Sequence, residues 1–375
     1  MIIQSHMTKI CLLLATLFPF VVVGQPRPDW LKQITLPDGF NISIYADDVE
    51  NARSLALGND GVVYVGTLRA GNVYALRDTD GDGVADQRFV IAHDLTMPNG
   101  VTVLNGALYV ATVTQLLRWK HPSANLEALP KPEVLVNDFP DDERHGWRYL
   151  KAGPDKHLYV TIGAPCNVCK KPKPVYATIM RMNAEGGERE IFAKGVRNSV
   201  GMDWHPQTAE LFFNENGRDM LGDDIPPDEL NHAPKTGMHF GFPYCHGVAI
   251  ADEKYGKKKP CHQLQSPAWS YPAHIAPLGL HFYRGKSFPI KYQGQAFVAQ
   301  HGSWNRTVPH GYRIAMLQFK NNQPLAETIF AEGWLLADGE VLGRPVDILE
   351  LHDGSLLVSD DKRGVIYRIT YTEEK

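Results

Sequence analysis

Asn59-Asp60-Gly61-Val62-Val63-Tyr64-Val65 decides the fold, because the same phrase returns along the chain. Turn residues are followed by a short run of β-branched and aromatic residues. The second copy is Asn105-Gly106-Ala107-Leu108-Tyr109-Val110, and the third is Pro154-Asp155-Lys156-His157-Leu158-Tyr159-Val160. A looser fourth runs from Pro206 to Phe213, a fifth from Gln293 to Val298 and a sixth from Asp353 to Val358. Most copies lead into another strand-like run, as in Asn72 to Leu76, Ile179 to Met182 and Val365 to Ile369. Turn and strand therefore alternate as in antiparallel hairpins. The copies recur roughly every 45–60 residues, the length of a four-stranded propeller blade. Six copies predict an all-β chain folded as a six-bladed β-propeller. Its ring would close by pairing Asn41–Tyr45 with Val365–Ile369. The wider gap between the fourth and fifth copies, about 237–267, reads as an insertion. A β-sandwich with chance repetition is the competing fold.

The chain has 375 residues, 33 of them Gly and 26 Pro, which suits many short strands joined by turns. Its formal net charge of −4 lacks the basic footprint of a nucleic-acid binder. Lys9, the apolar run Ile10 to Gly24 and the polar Gln25-Pro26-Arg27-Pro28 read as a secretory signal peptide over 1–24. An uncleaved membrane anchor is the competing reading, although the run is short for a bilayer span. Residues 25–375 would then form one exported domain, periplasmic or secreted, with no membrane span after cleavage. Beyond the signal lie Cys166, Cys169, Cys245 and Cys261. An even count in an exported chain suggests two disulfides among three possible pairings. Proximity favours Cys166–Cys169 and Cys245–Cys261. A four-thiolate zinc site is the alternative.

Two polar stretches precede strands that should line the central channel. Asp141-Asp142-Glu143-Arg144-His145-Gly146-Trp147 precedes the third phrase, and Gly195-Val196-Arg197-Asn198-Ser199-Val200-Gly201 precedes the fourth. Both take the same place in their blades, so their side chains can meet at one channel mouth. A histidine can serve as a general base near neutral pH, and an unperturbed one titrates near 6.5. The rate would then rise through that pH. An arginine can neutralise an oxyanion or clamp carboxylates. Each residue alone is also compatible with a plain structural role.

From Leu36-Pro37-Asp38-Gly39-Phe40 to Tyr367-Arg368-Ile369 the chain resembles the glucose/sorbosone dehydrogenase family. His301-Gly302-Ser303-Trp304-Asn305-Arg306 is similar to its sorbosone-dehydrogenase-like branch. The resemblance implies a six-bladed propeller that uses pyrroloquinoline quinone (PQQ) and Ca²⁺ to oxidise a sugar or alcohol, passing electrons to an external acceptor. It implies that His145 takes the substrate proton, and that Arg197 and Asn198 contact the quinone carbonyls. Glu215-Asn216-Gly217-Arg218 implies backbone carbonyls of Gly217 and Arg218 as Ca²⁺ donors, upstream of Asp228-Glu229-Leu230-Asn231. Asn99 matches a polar channel contact, and Arg344 matches an arginine that binds the quinone carboxylates. The chain departs from the family pattern at Arg144, where Asp is common, and at Val346, where a second arginine is expected. A lysine of the fifth-blade loop is also missing, and Arg306 or Asn305 would stand in. The implied reaction is proton removal by His145 with hydride transfer to the quinone.

Asp78-Thr79-Asp80-Gly81-Asp82-Gly83 alternates carboxylates with glycines, as in the first half of a calcium loop. Asp78, Asp80 and Asp82 are read as a structural Ca²⁺ site, or else as a solvated acidic turn. Two rival functions remain. One is a metal-dependent propeller lactonase or hydrolase using Glu215, Asn99 and Asn198, and the other is a non-catalytic binding module.

Overall fold

Each of the six phrases becomes the second strand of an antiparallel sheet. These strands are Val63–Thr67, Ala107–Ala111, Leu158–Ile162, Leu211–Glu215, Ala296–Gln300 and Leu356–Asp360, and every residue in them is buried. Blades stack face to face around a ring, so a second strand is covered on both faces. It can therefore be apolar throughout, with no polar alternation. Outer strands such as Gln87–Ala92 and Glu133–Val136 keep exposed positions and carry charge. The computed structural model describes residues 28–373, which form six such blades in a closed ring, a six-bladed β-propeller. The predicted signal peptide over 1–24 lies outside the described residues. Among the described residues, no helix is long and apolar enough to cross a membrane.

The ring closes with strands from both ends of the chain. Phe40–Ala46 forms the outer strand of the last blade and pairs with Val365–Tyr371, matching Asn41 to Thr370 and Ile44 to Tyr367. Phe40 then packs edge-on against Phe288, Tyr292 and Phe330, with ring centroids 4.7, 5.0 and 5.0 Å away. Burying such a side chain contributes about 1.5–3 kcal/mol, which fastens the closure to the fifth blade.

The innermost strands are Ala52–Leu57, Gly100–Leu104, Leu150–Ala152, Met202–Trp204, Pro277–Phe282 and Pro345–Glu350. Neighbouring blades crowd most tightly where these strands begin. A Cβ on Gly100 would lie 2.1 Å from the Arg148 carbonyl oxygen, and one on Gly201 would lie 1.9 Å from that of Leu278. Only glycine permits this approach. Because the strands are antiparallel, the entry to each first strand and the exit from each second strand sit at the same end of the channel. Both polar loops of the sequence are of the first kind.

Residues between Glu229–Ala233 and Trp269–Ser270 leave the fourth blade before its outer strand. Met238–His239 adds a parallel edge to the third blade, pairing Met238 with Ala193. Cys245–His246 and Ile250–Ala251 form a small hairpin. The disulfides are Cys166–Cys169 and Cys245–Cys261.

Candidate active site

At the end where first strands begin, the channel opens into a cavity of about 530 Å³. His145, Arg197, Asn198, Gly217 and Arg344 all line it, together with Asn305. The structure thus brings together loops of the third, fourth, fifth and sixth blades.

His145 is buried and holds a left-handed backbone, with φ 54°. Such a conformation is uncommon outside glycine and clusters at functional sites. Gly163 makes room for it, since a Cβ there would lie 2.6 Å from that of His145. Buried Arg148 holds the loop by donating to the carbonyls of Val113, Pro140 and His145 at 3.1, 2.6 and 3.3 Å. The Nδ1 of His145 lies 2.6 Å from the Ala164 carbonyl oxygen. A carbonyl only accepts, so Nδ1 carries the proton and Nε2 keeps its lone pair. Burial, and then the charge of Arg197, push the imidazole pKa down to about 3. The ring is therefore already a neutral base at every ordinary pH, and the expected titration near 6.5 is corrected by desolvation.

Arg197 is fully inside the protein wall. Its Nε donates to the Asn167 carbonyl at 2.9 Å, and Nη1 donates to that of Asn216 at 3.0 Å. Nη2 reaches Asn167 Oδ1 at 3.1 Å and Asp219 Oδ2 at 3.0 Å. These bonds occupy Nε and Nη2 and leave one Nη1 hydrogen without a partner among the described residues. Burial still presses the guanidinium pKa down, despite the nearby carboxylates. Beneath it, Glu215 Oε1 accepts the backbone N–H groups of Arg197 and Asn198. Burial, and then Glu229, raise the Glu215 pKa well above the carboxylate range. Asn198 Oδ1 accepts from the Trp147 indole at 3.0 Å.

Asn99 sits one layer behind the lining. Its Oδ1 accepts from Arg53 Nε at 3.0 Å, and Arg53 Nη1 reaches Asp361 Oδ2 at 2.9 Å. Asp361 Oδ1 in turn bonds His301 Nε2 at 2.8 Å. Arg344 spans the same corner, donating to the His301 and Gly302 carbonyls at 3.0 and 2.6 Å. Burial lowers the Arg344 pKa as well.

Gly217 faces the cavity, and its N–H donates to Asp228 Oδ1 at 2.7 Å. Burial raises the Asp228 pKa to about 6. Among the described residues, the Gly217 and Arg218 carbonyls accept no protein hydrogen bond. The Arg218 side chain turns away from the cavity to Asp252, at 2.9 Å. Arg306 also lies outside the lining. It donates to the carbonyls of Asp223 and Ala273 at 2.6 and 3.2 Å and so ties two loops together. Of the two stand-ins for the missing lysine, Asn305 is the one that lines the cavity, where its buried Oδ1 has no partner. Val346 packs into the core with Val200 and Leu278. Asp78, Asp80 and Asp82 gather in the outer hairpin turn of the first blade, with ligand oxygens within 4.8 Å of one another.

The sequence model of the TrAA12-like family matches residues 34–372, nearly all of the described chain. The chain belongs to this family. Members of the TrAA12-like family are PQQ-dependent oxidoreductases. An uncharacterized protein of Borreliella burgdorferi is 34% identical over 376 residues, covering 96% of both chains. The PQQ-dependent pyranose dehydrogenase of Coprinopsis cinerea is 30% identical over 122 residues, 28% of this chain and 16% of that protein. The structure of the Trichoderma reesei family AA12 enzyme has a TM-score of 0.77 at 20% identity, covering 90% of this chain and 98% of that one. The PQQ domain of the Coprinopsis pyranose dehydrogenase has a TM-score of 0.76 at 18% identity, covering 93% and 99%. Both share the propeller fold.

Several lining residues of this TrAA12-like chain went unread in the sequence, namely Arg53, Asp361 and His274. Arg53 had a signal: it is the one charged residue in the buried strand Ala52–Leu57. Asp361 directly follows the strand Leu356–Asp360, at the exit of a second strand. His274 carries no comparable mark.

Proposed function

We propose that this TrAA12-like protein is a PQQ-dependent sugar dehydrogenase in which His145 is the general base. The observation that carries the reading is the tautomer of His145. Its Nδ1–H is held by a backbone carbonyl, so Nε2 can only accept, and it lies in the same cavity as buried guanidiniums. His145 would take the hydroxyl proton at Nε2. Arg197 would direct its free Nη1 hydrogen at negative charge developing on the quinone, where a preorganised donor helps most.

The residues present fit PQQ. Arg53, Arg69, Arg197 and Arg344 face Asp219, Asp228 and Asp361 across the lining, four cations against three carboxylates. Arg344 donates to two carbonyls and forms no ion pair among the described residues, so an anionic cofactor would give it a counter-charge. Asn305 Oδ1 is a further unused polar group. PQQ, when bound, supplies the two-electron chemistry, and the chain supplies orientation and charge. The unengaged carbonyls of Gly217 and Arg218 suit Ca²⁺, which favours oxygen donors.

Reconstitution with PQQ and Ca²⁺ tests the proposal, using a panel of sugars and alcohols with an artificial electron acceptor. Dye reduction that depends on both additions supports it. Turnover of lactones with metal alone would replace it with the hydrolase, and no PQQ binding would leave a binding module.

A further inference from the structure

Ala164, whose carbonyl orients His145, also lines a second groove of about 310 Å³ on the third blade. One wall is the loop closed by the Cys166–Cys169 disulfide. The other is Phe242-Pro243-Tyr244, tied to the blade by Phe242 N–H on the Gly195 carbonyl at 3.1 Å and followed by the Cys245–Cys261 disulfide. Two cross-linked walls make the groove preorganised. Its floor is built from rings, with Tyr176, Phe242 and Tyr244 beside Pro165, Pro174 and Pro243.

The rim carries one sign of charge. Lys170, Lys171, Lys173 and Lys194 are exposed around it, and no carboxylate is among the described lining residues. The lysine ion pairs among the described residues belong to Lys32, Lys120 and Lys151, so these four have none. Lys170 instead lies over the Tyr244 ring, 5.6 Å from its centroid. The nearest carboxylate bonded to a lining group is Asp142, which accepts from the Tyr176 hydroxyl. Burial, and then the charges of Lys259 and Lys194, hold the His239 pKa down to about 4. The field is therefore positive on a chain whose net charge is −4. Surfaces ordinarily intersperse both signs, because clustered like charges repel. A ligand bearing several negative charges would relieve that repulsion.

We propose that this groove binds an acidic oligosaccharide, its sugar rings against Tyr176 and Tyr244 and its carboxylates paired with Lys170, Lys171, Lys173 and Lys194. A concave groove suits a slender chain better than a protein face. Tyrosine rings offer flat apolar surfaces to the C–H faces of sugars, and proline rings add apolar contact beside them. The choice of a carbohydrate over an acidic peptide rests in part on the sugar reading of the neighbouring cavity.

Calorimetric titration of the full exported chain with a galacturonate tetramer at low ionic strength tests this. The tetramer should bind, more weakly as salt is added, since exposed charge pairs are screened. A Lys170→Gln, Lys194→Gln variant should bind roughly tenfold more weakly, the combined worth of two solvent-exposed ion pairs. Both side chains are exposed, so its melting temperature should match that of the parent. The proposal is overturned if the parent does not bind the tetramer, or if the variant binds it unchanged. It is equally overturned if a neutral glucose tetramer binds as well, or if tetraglutamate binds as tightly. Dye-linked sugar oxidation separates this claim from the proposed activity. A parent that binds the tetramer but oxidises no sugar breaks the activity and leaves the groove standing, whereas one that oxidises sugar without binding the tetramer does the reverse.

Discussion

The propeller channel opens into a polar cavity at each end, and the two ends balance their charges differently. The cavity opposite the candidate active site is about 390 Å³ and is lined by Lys151, Asp203, His281, Arg284, Asp347 and Glu350. Its charges answer one another except at Asp347, which accepts the Leu55 and Ile348 N–H groups and is raised to about 6 by burial. Asp203 receives Lys151 Nζ at 3.2 Å and Arg284 Nη1 at 2.8 Å, and His281 Nε2 meets Glu350 Oε2 at 3.0 Å. Burial alone would raise Asp203, yet Lys151, Arg284 and His281 hold it far below the carboxylate range. At the candidate active-site end, Arg344 donates to two carbonyls without an ion pair among the described residues, and His145 keeps an unused lone pair. Density of charge therefore does not mark a site. What distinguishes the two ends is the charge and bonding capacity left over after internal pairing.

The largest effect should follow from removing the base. His145→Ala should lower turnover by roughly 10²–10⁴, the usual contribution of a positioned general base. PQQ affinity, followed by titration of the apo protein, should stay close to that of the parent. The pH profile sharpens the claim. Burial moves the His145 pKa from 6.5 to about 3, so the neutral, base-competent ring persists as pH falls. The parent rate should show no histidine limb between about pH 5 and 8, where an unperturbed imidazole would titrate. A rate that climbs through about 6.5 would break this assignment. The same shift makes folding less favourable in acid. A neutral buried histidine stabilises fully above its unfolded pKa, and that contribution is lost as pH falls toward 3.

Asp203 tests the opposite mouth. Asp203→Asn leaves Lys151 and Arg284 facing no carboxylate at that position, and because both cations are partly exposed the loss should be about 1–3 kcal/mol. Chemical denaturation should register that loss, while turnover per folded molecule stays at the parent level. The native Asp203 pKa lies below the unfolded value, so its contribution is present above about pH 4 and is lost as acid protonates the folded carboxylate. A variant with parent stability and poor turnover would reverse the roles assigned to the two ends.

The sequence exposed the frame of this comparison better than its chemistry. The second strands were legible because burial on both faces turns them into short apolar runs after turn residues. Ring closure followed from the count of six. The parallel edge contributed by Met238–His239 was not legible, because a two-residue pair has no periodicity. The two loops bearing His145 and Arg197 stood out by their matching places in adjacent blades. Their energetics did not, since the tautomer of His145 needs the Ala164 carbonyl and its lowered pKa needs desolvation, both products of folding. The resemblance gave Arg344 a role on the quinone carboxylates and offered Arg306 as a stand-in for a lysine, and it is their partners that separate the two.

That separation gives the next prediction. Arg344→Gln should weaken PQQ binding by about 1.5–3 kcal/mol, the worth of a hydrogen bond to a charged group. Arg306→Gln should leave affinity near that of the parent, because its guanidinium is engaged with Asp223 and Ala273 outside the lining. Equal losses in the two variants would erase the distinction between a guanidinium with capacity to spare and one already used.

The smallest effect belongs to the first-blade turn. We propose that Asp78, Asp80 and Asp82 hold a structural Ca²⁺, distinct from an ion on the Gly217 and Arg218 carbonyls. The turn joins Val73–Arg77 to Gln87–Ala92, and its backbone is already shaped by its own carboxylates. Asp78 accepts from the N–H groups of Gly81 and Gly83 at 2.7 and 2.9 Å, and Asp82 accepts from Val84 at 2.8 Å. An ion there would tighten an exposed turn without touching the channel, so its effect on stability should be modest. Free Ca²⁺ at ten times its dissociation constant contributes about 1.4 kcal/mol by mass action. Chelation of the PQQ-free protein should therefore lower the melting temperature slightly, and Asp80→Asn, Asp82→Asn should abolish that response. The same variant, reconstituted with PQQ and Ca²⁺, should keep its turnover, because the carbonyl donors at the active-site mouth are untouched. A chelator response that survives in the variant would assign the stabilising ion to the mouth and leave the aspartates as a solvated acidic turn.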